Sequence, residues 1–171
     1  MPNKLRVAAA LALGGILWWK LSEKTRGSAL NASVEVEESI EVASPVSTAY
    51  KQWARFEDYP KFMSGVHEVQ QLDDRHLQWR ADVGGKEEKW DAEIVEQIPY
   101  MRIAWRSVSG GRNAGVVRFQ KISDTATKVL LQTDCDSRSF NEQGRDALGL
   151  VRTQARNTLS NFKDLLERRE K

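Results

Sequence analysis

The chain has one cysteine, Cys135, and two histidines, His67 and His76, among its 171 residues. A lone thiol excludes an internal disulfide and any cysteine-rich metal centre. The histidines lack a ligand-like spacing such as HxxxH, and His76 falls on the polar parity of its strand, so no metal site is expected. Charge of one sign is lacking too. The 26 basic and 24 acidic residues leave a formal +2 and are mixed along the chain, with no basic stripe for DNA or RNA. GxSxG, P-loop and dinucleotide fingerprints are absent, and Gly110, Gly111 and Gly115 have the wrong spacing for one and lie between strands. No cofactor is expected, and no nucleic-acid partner.

Long hydrophobic runs are scarce. The one candidate, Val7 to Trp19, is shorter than the roughly 20 residues of a stable spanning helix. It spans if Leu5 and Leu21 are included and the flanking Lys4, Arg6 and Lys20 snorkel. No small-x-small cleavage site follows Trp19 closely, as a secretory signal would require. Residues 1–22 are therefore read as an uncleaved membrane anchor, with a soluble helix packed on the domain as the alternative. The protein is expected to be membrane-associated through that anchor and otherwise cytoplasmic. Positive charge on both flanks leaves the orientation open. Residues 23–33 are small and polar, a linker, and 34–171 form the domain.

Within that domain the pattern turns to period two. Val34, Val36, Ile40 and Val42 alternate with Glu35, Glu37, Ser39 and Glu41, which is a half-buried strand with Glu38 out of place on its apolar parity. Ser44-Pro45 starts a short helix over 46–54. The aromatic segment Phe56 to Met63 is broken at Pro60, so short turns are expected there. Six strands follow, joined by hairpin-length turns such as Gly84-Gly85. On their apolar parity lie Trp79, Trp90 and Trp105, then Phe119 and Leu131, with Glu96 as a second misplaced acid. The last stretch, about 145–169, carries Leu148, Val151, Ala155, Leu159, Phe162 and Leu166 at steps of three and four, one stripe of a long amphipathic helix. Clean alternation leaves one sheet face dry, and only this helix can cover it. The fold class is therefore α+β, a curved antiparallel sheet wrapped around a long C-terminal helix, with two short helices after the first strand.

Several stretches carry a family likeness. They are Ser39-Ile40-Glu41-Val42-Ala43-Ser44-Pro45-Val46, Phe56-Glu57-Asp58-Tyr59-Pro60-Lys61-Phe62-Met63, Trp90-Asp91-Ala92-Glu93-Ile94-Val95-Glu96, Ile103-Ala104-Trp105, Gly115-Val116-Val117-Arg118-Phe119 and Leu159-Ser160-Asn161-Phe162-Lys163. From about Val34 to Glu170 the chain resembles the helix-grip fold of the START-like superfamily, in its polyketide cyclase/dehydrase and lipid-transport group, which includes the coenzyme Q-binding proteins. The resemblance implies a binder of lipids, quinones or polyketides, a minority of members being cyclases or hydrolases.

The expected function is binding, transport or sequestration of a hydrophobic small molecule in an internal cavity. The alternatives are a polyketide cyclase/dehydratase-type enzyme and a ligand-free interaction protein. The expected cavity residues are Tyr59, Phe62, Met63, Trp79, Trp90, Trp105, Phe119, Leu131, Val151 and Ala155, with Leu148 and Leu159 as part core and part wall. The 56–63 segment and the Gly110 to Gly115 loop would gate it. Large aromatics also fill ordinary cores, so some of these belong to solid packing. Glu96 and Glu38 are the candidate acids, since a carboxylate on an apolar face is paired, neutralised, placed at a bulge, or functional. Cys135 falls on the inner face of its strand, where an inert buried thiol is the commoner case.

Overall fold

The structure, a computed structural model, describes residues 33–136 and 147–168. The expected anchor and nearly all of the linker lie outside the described residues. Alternation sets the strands. In β1 (Ser33–Val42) Val36 and Val42 are buried while Glu35, Glu37 and Glu41 are exposed. Pro45, at φ −56°, then leads into α1 (Val46–Trp53), because its fixed φ is already helical. A 3-10 helix over Phe56–Lys61 carries Pro60 inside it, where a longer α-helix would clash.

The chain then meanders through β2 (Val66–Gln71), β3 (His76–Val83), β4 (Lys86–Ile98), β5 (Arg102–Ser107), β6 (Asn113–Lys121) and β7 (Thr127–Asp136), and ends in α2 (Ala147–Arg168). The turns explain the antiparallel order. Asp73 accepts backbone hydrogen bonds from Arg75 and His76 at 2.8 and 2.9 Å, the side-chain mimic of a turn. Gly84 and Gly85 take φ +60° and +83°, which a two-residue hairpin of the right twist demands. Tyr100 sits at φ +61°, and its ring packs edge-on against Tyr50 at 5.5 Å. The seven strands form one sheet in the order β1-β7-β6-β5-β4-β3-β2, so the first strand closes against the last. α2 lies across the sheet, most closely along β1 and then β7.

The stripe of α2 is buried at Val151, Ala155, Leu159, Phe162 and Leu166, whereas Leu148 is 47% exposed. That corrects its expected place in the wall, since the first turn of the helix extends past the residues that would cover it. The other end of α2 is fastened. Phe162, fully buried, meets Trp53 at 4.8 Å and Phe62 at 5.1 Å. Around this contact Asn161 donates to the Phe62 carbonyl at 3.2 Å, Lys163 to the Glu41 carbonyl at 3.0 Å, and the Ala43 N–H to Glu167 at 3.1 Å. No helix among the described residues is long and apolar enough to cross a membrane.

Phe162→Ala removes the ring on which three elements converge, and urea unfolding is expected to show a loss of about 3–5 kcal/mol. A loss below about 1 kcal/mol would contradict this packing.

Candidate functional site

Toward its N-terminus α2 stands over the sheet without filling the space beneath it, and a cavity of about 160 Å³ lies there. The helix contributes Val151, Gln154, Ala155 and Thr158 to the lining. The floor is Trp79 and Ala81 of β3, Trp90 of β4, Trp105 of β5, and Leu131, Thr133 and Cys135 of β7, with Met63 and Val66 at one side. Asp82, Val83 and Glu88 of the β3–β4 hairpin and Gly111, Arg112 and Asn113 beside β6 complete it.

The register places these rings. Trp79 is the cross-strand partner of Trp90, and the two indoles stack with centroids 5.8 Å apart and planes 11° from parallel, one of the arrangements aromatic pairs prefer. Trp105 pairs across from Gly115. A Cβ at Gly115 would collide with Trp105 Cζ2 and lie 2.9 Å from the Gln132 carbonyl oxygen, so glycine is what lets the indole lie against β6. Asn113 accepts from Trp105 Nε1 at 3.4 Å. At Gly110, with φ +72°, a Cβ would stand 3.0 Å from Trp90 Cβ.

Charge enters the lining at Asp82, Glu88 and Arg112. The Arg112 guanidinium meets Asp134 at 2.8 Å, and Asp134, only 7% exposed, lies on the opposite parity of β7 from Thr133 and Cys135. His67 Nε2 is 3.0 Å from Asp82 and 3.9 Å from Glu87. Cys135 is buried. Burial above all pushes its thiol up, the Asp134 charge adds to this, and the Thr133 hydrogen bond partly opposes it. Among the described residues no group of three or more His, Cys, Asp or Glu side chains could hold a metal ion.

Of the residues expected in the cavity, Met63, Trp79, Trp90, Trp105, Leu131, Val151 and Ala155 line it. Tyr59, Phe62 and Phe119 do not. They belong to the solid aromatic cluster around Trp53, at 6.1, 5.3 and 6.3 Å from its ring, because the parity of a strand fixes which face a side chain takes and not how far along the sheet the helix closes down. Burial pushes the Tyr59 phenol well above its usual range, with the neighbouring Trp53 acting the other way. Leu159 also sits outside the lining, in the core cluster. Of the expected gate, Met63 and Gly111 to Asn113 reach the cavity.

Neither candidate acid lines it. Glu38 does face inward, but it meets Arg156 at 3.0 Å and Arg152 at 3.4 Å and so ties β1 to α2. Glu96 follows a register shift in β4 and pairs with Arg102; the bulge, and not a buried acid, explains its parity. The polar lining at Asp82, Glu88, Arg112, Asn113, Gln154 and Thr158 was missed from sequence. Only Thr158 carried a signal, since it lies beside Leu159 four residues on from Gln154, along the flank of the apolar stripe.

Comparison with known proteins adds the following. Residues 42–163 match the family described as polyketide cyclase / dehydrase and lipid transport. An uncharacterized 17.2 kDa protein from the melC2-rnhH intergenic region of Streptomyces lincolnensis is 47% identical over 136 residues, covering 79% of this chain and 91% of that protein. Among solved structures, the Zhui aromatase/cyclase of Streptomyces sp. R1128 superposes with a TM-score of 0.70 at 19% identity, over 81% of this chain and 96% of its own. A START superfamily protein of Mycobacterium smegmatis does so at 0.62 and 15%, over 79% and 95%. At these identities the two structures show the fold.

Three outcomes follow from this geometry. Glu38→Gln should cost about 1 kcal/mol or less, its two arginines being half exposed or more, and both it and Glu96→Gln should leave ligand affinity unchanged by titration. Gly115→Ala should destabilise by about 1–3 kcal/mol and alter the near-ultraviolet circular dichroism as Trp105 is displaced. Because the folded thiol of Cys135 is raised, its contribution is fully present below the unfolded value near pH ~8.5 and is lost as pH rises through the folded value. Urea midpoints should therefore fall on the alkaline side, and fall less in Cys135→Ala.

Proposed function

This chain belongs to the polyketide cyclase/dehydrase and lipid transport family, and on that footing we propose that it binds a hydrophobic, partly planar small molecule in the cavity beneath α2. The observation that carries this reading is the tryptophan floor. Trp79 and Trp90 stack with their ring planes nearly parallel, and Trp105 keeps its place only because Gly115 has no side chain. Such a surface suits a ring system.

Size narrows the ligand further. The space of about 160 Å³ is close to the ~150 Å³ of a dry cavity that takes a benzene ring, and below the ~300 Å³ at which pockets for drug-sized molecules begin. A compact ring, or the end of a longer molecule, fits inside. Anything larger extends past Asp82, Glu88 and Arg112. Binding is favoured over catalysis because, among the described residues, the carboxylates that reach the lining are Asp82 and Glu88 of the β3–β4 hairpin, and both are exposed to solvent. The run Val7 to Trp19 suits a bilayer tether for such a module, and that part of the proposal rests on sequence.

Purified full-length protein extracted with organic solvent should yield a hydrophobic compound in near-stoichiometric amount by mass spectrometry. Ala155→Leu, which adds bulk to the roof, should abolish its retention while the protein keeps its circular dichroism spectrum. Equal retention by this variant would sink the cavity as the binding site.

A further inference from the structure

Thr158 reaches the cavity from α2 and is only 6% exposed. Its hydroxyl has no hydrogen-bond partner among the described residues, yet the atoms around it do not seal it off. The space that reaches it is the cavity. A buried hydroxyl left without a partner costs free energy, and native structures keep few of them.

The other polar side chains of the lining are provided for. The Thr133 hydroxyl lies 3.5 Å from both the Ala114 carbonyl and Cys135 Sγ, Asn113 accepts from Trp105 Nε1, Arg112 meets Asp134, and Asp82 meets His67. Gln154 and Glu88 are exposed, where water serves them. Trp79 Nε1 lacks an acceptor as Thr158 lacks a partner, but that indole N–H is fully occluded. Among the described residues, the Thr158 hydroxyl is therefore the buried side-chain group in the lining that a ligand can reach and that no residue already satisfies.

Its place on the helix gives the contact a direction. Thr158 stands one turn before Phe162, whose ring is packed solidly against Trp53 and Phe62, while Val151 and Gln154 lie nearer the start of α2. On the binding reading above, we infer that Thr158 is the positioning residue of the site. Its hydroxyl forms a hydrogen bond with an oxygen of the ligand, so that the ligand lies with this oxygen at the inner end and its apolar remainder toward Val151. A hydroxyl both donates and accepts, so a carbonyl or a hydroxyl oxygen meets it equally well. One placed polar group in an apolar pocket is enough to fix an orientation.

The test uses two probes of one shape, p-cresol and p-xylene, titrated calorimetrically into the full-length protein near neutral pH. Thr158→Val removes the hydroxyl and keeps the branched outline of the side chain. It should weaken p-cresol by about fivefold or more and leave p-xylene unchanged or tighter, while the urea midpoint holds or rises because an unmet polar group is gone. Thr158→Ser keeps the hydroxyl and should bind p-cresol within about twofold of the unsubstituted chain. Nuclear Overhauser contacts should place the p-cresol methyl beside Val151. Equal changes for both probes in Thr158→Val, or a loss in Thr158→Ser as large as in Thr158→Val, overturn the hydrogen bond while leaving the cavity as a binding site. A lower urea midpoint in Thr158→Val means that the hydroxyl already serves the fold, and overturns it as well. Contacts of the p-cresol methyl with Thr158 in place of Val151 overturn the orientation. Neither probe binding to the unsubstituted chain sinks the binding reading and the role of Thr158 with it.

Discussion

The seating of Phe162 between Trp53 and Phe62 is the contact on which the rest depends. It joins the second half of α2 to α1 and to the end of the 3-10 helix, and the hydrogen bonds of Asn161, Lys163 and Glu167 surround it. A helix held this firmly at one end need not touch the sheet along its whole length. The space under Val151 and Ala155 is the result. Cavity and core are thus two ends of one apolar stripe, separated by where the aromatic ring of Phe162 comes to rest.

Much of this was readable from residue order. Period-two alternation placed Trp79, Trp90 and Trp105 on one face, and the sheet does bring them under the helix. Gly84-Gly85 marked its hairpin for the same local reason that it forms one. The likeness to the polyketide cyclase/dehydrase and lipid-transport group and the antiparallel sheet closed on a long helix both stand. What could not be read was depth. Tyr59 and Phe62 look like entrance residues in sequence because they flank Pro60, yet the 3-10 geometry turns them inward beneath Trp53. Phe119 has the right parity and the wrong height. Glu38 looked anomalous only because its partners, Arg152 and Arg156, lie on the last helix, and no local pattern connects a strand to cations so far along the chain. Glu96 was displaced by a bulge, which one sequence does not announce.

Electrostatics follow the same division between local and distant. The pairs of Asp73 with His76 and of Lys121 with Asp124 are neighbours in sequence and exposed, so they set turns and little else. The pairs that matter for the site, Arg112 with Asp134 and Glu38 with the two arginines of α2, join separate elements. The composition, nearly balanced at +2, conceals that arrangement.

Gly115 and Trp105 form a large-and-small pair across two neighbouring strands, in which one member has room only because the other has no side chain. Substitution at either position alone is therefore a different event from substitution at both. A relative that exchanges the tryptophan for something smaller frees its partner position to vary, and its cavity deepens; one that fills the glycine must first give up the indole. The two positions read jointly become a measure of cavity depth that can be taken from sequence, and they indicate how a lineage built on this sheet could widen its range of cargo through two ordered changes while the rest of the barrel-like wall stays as it is.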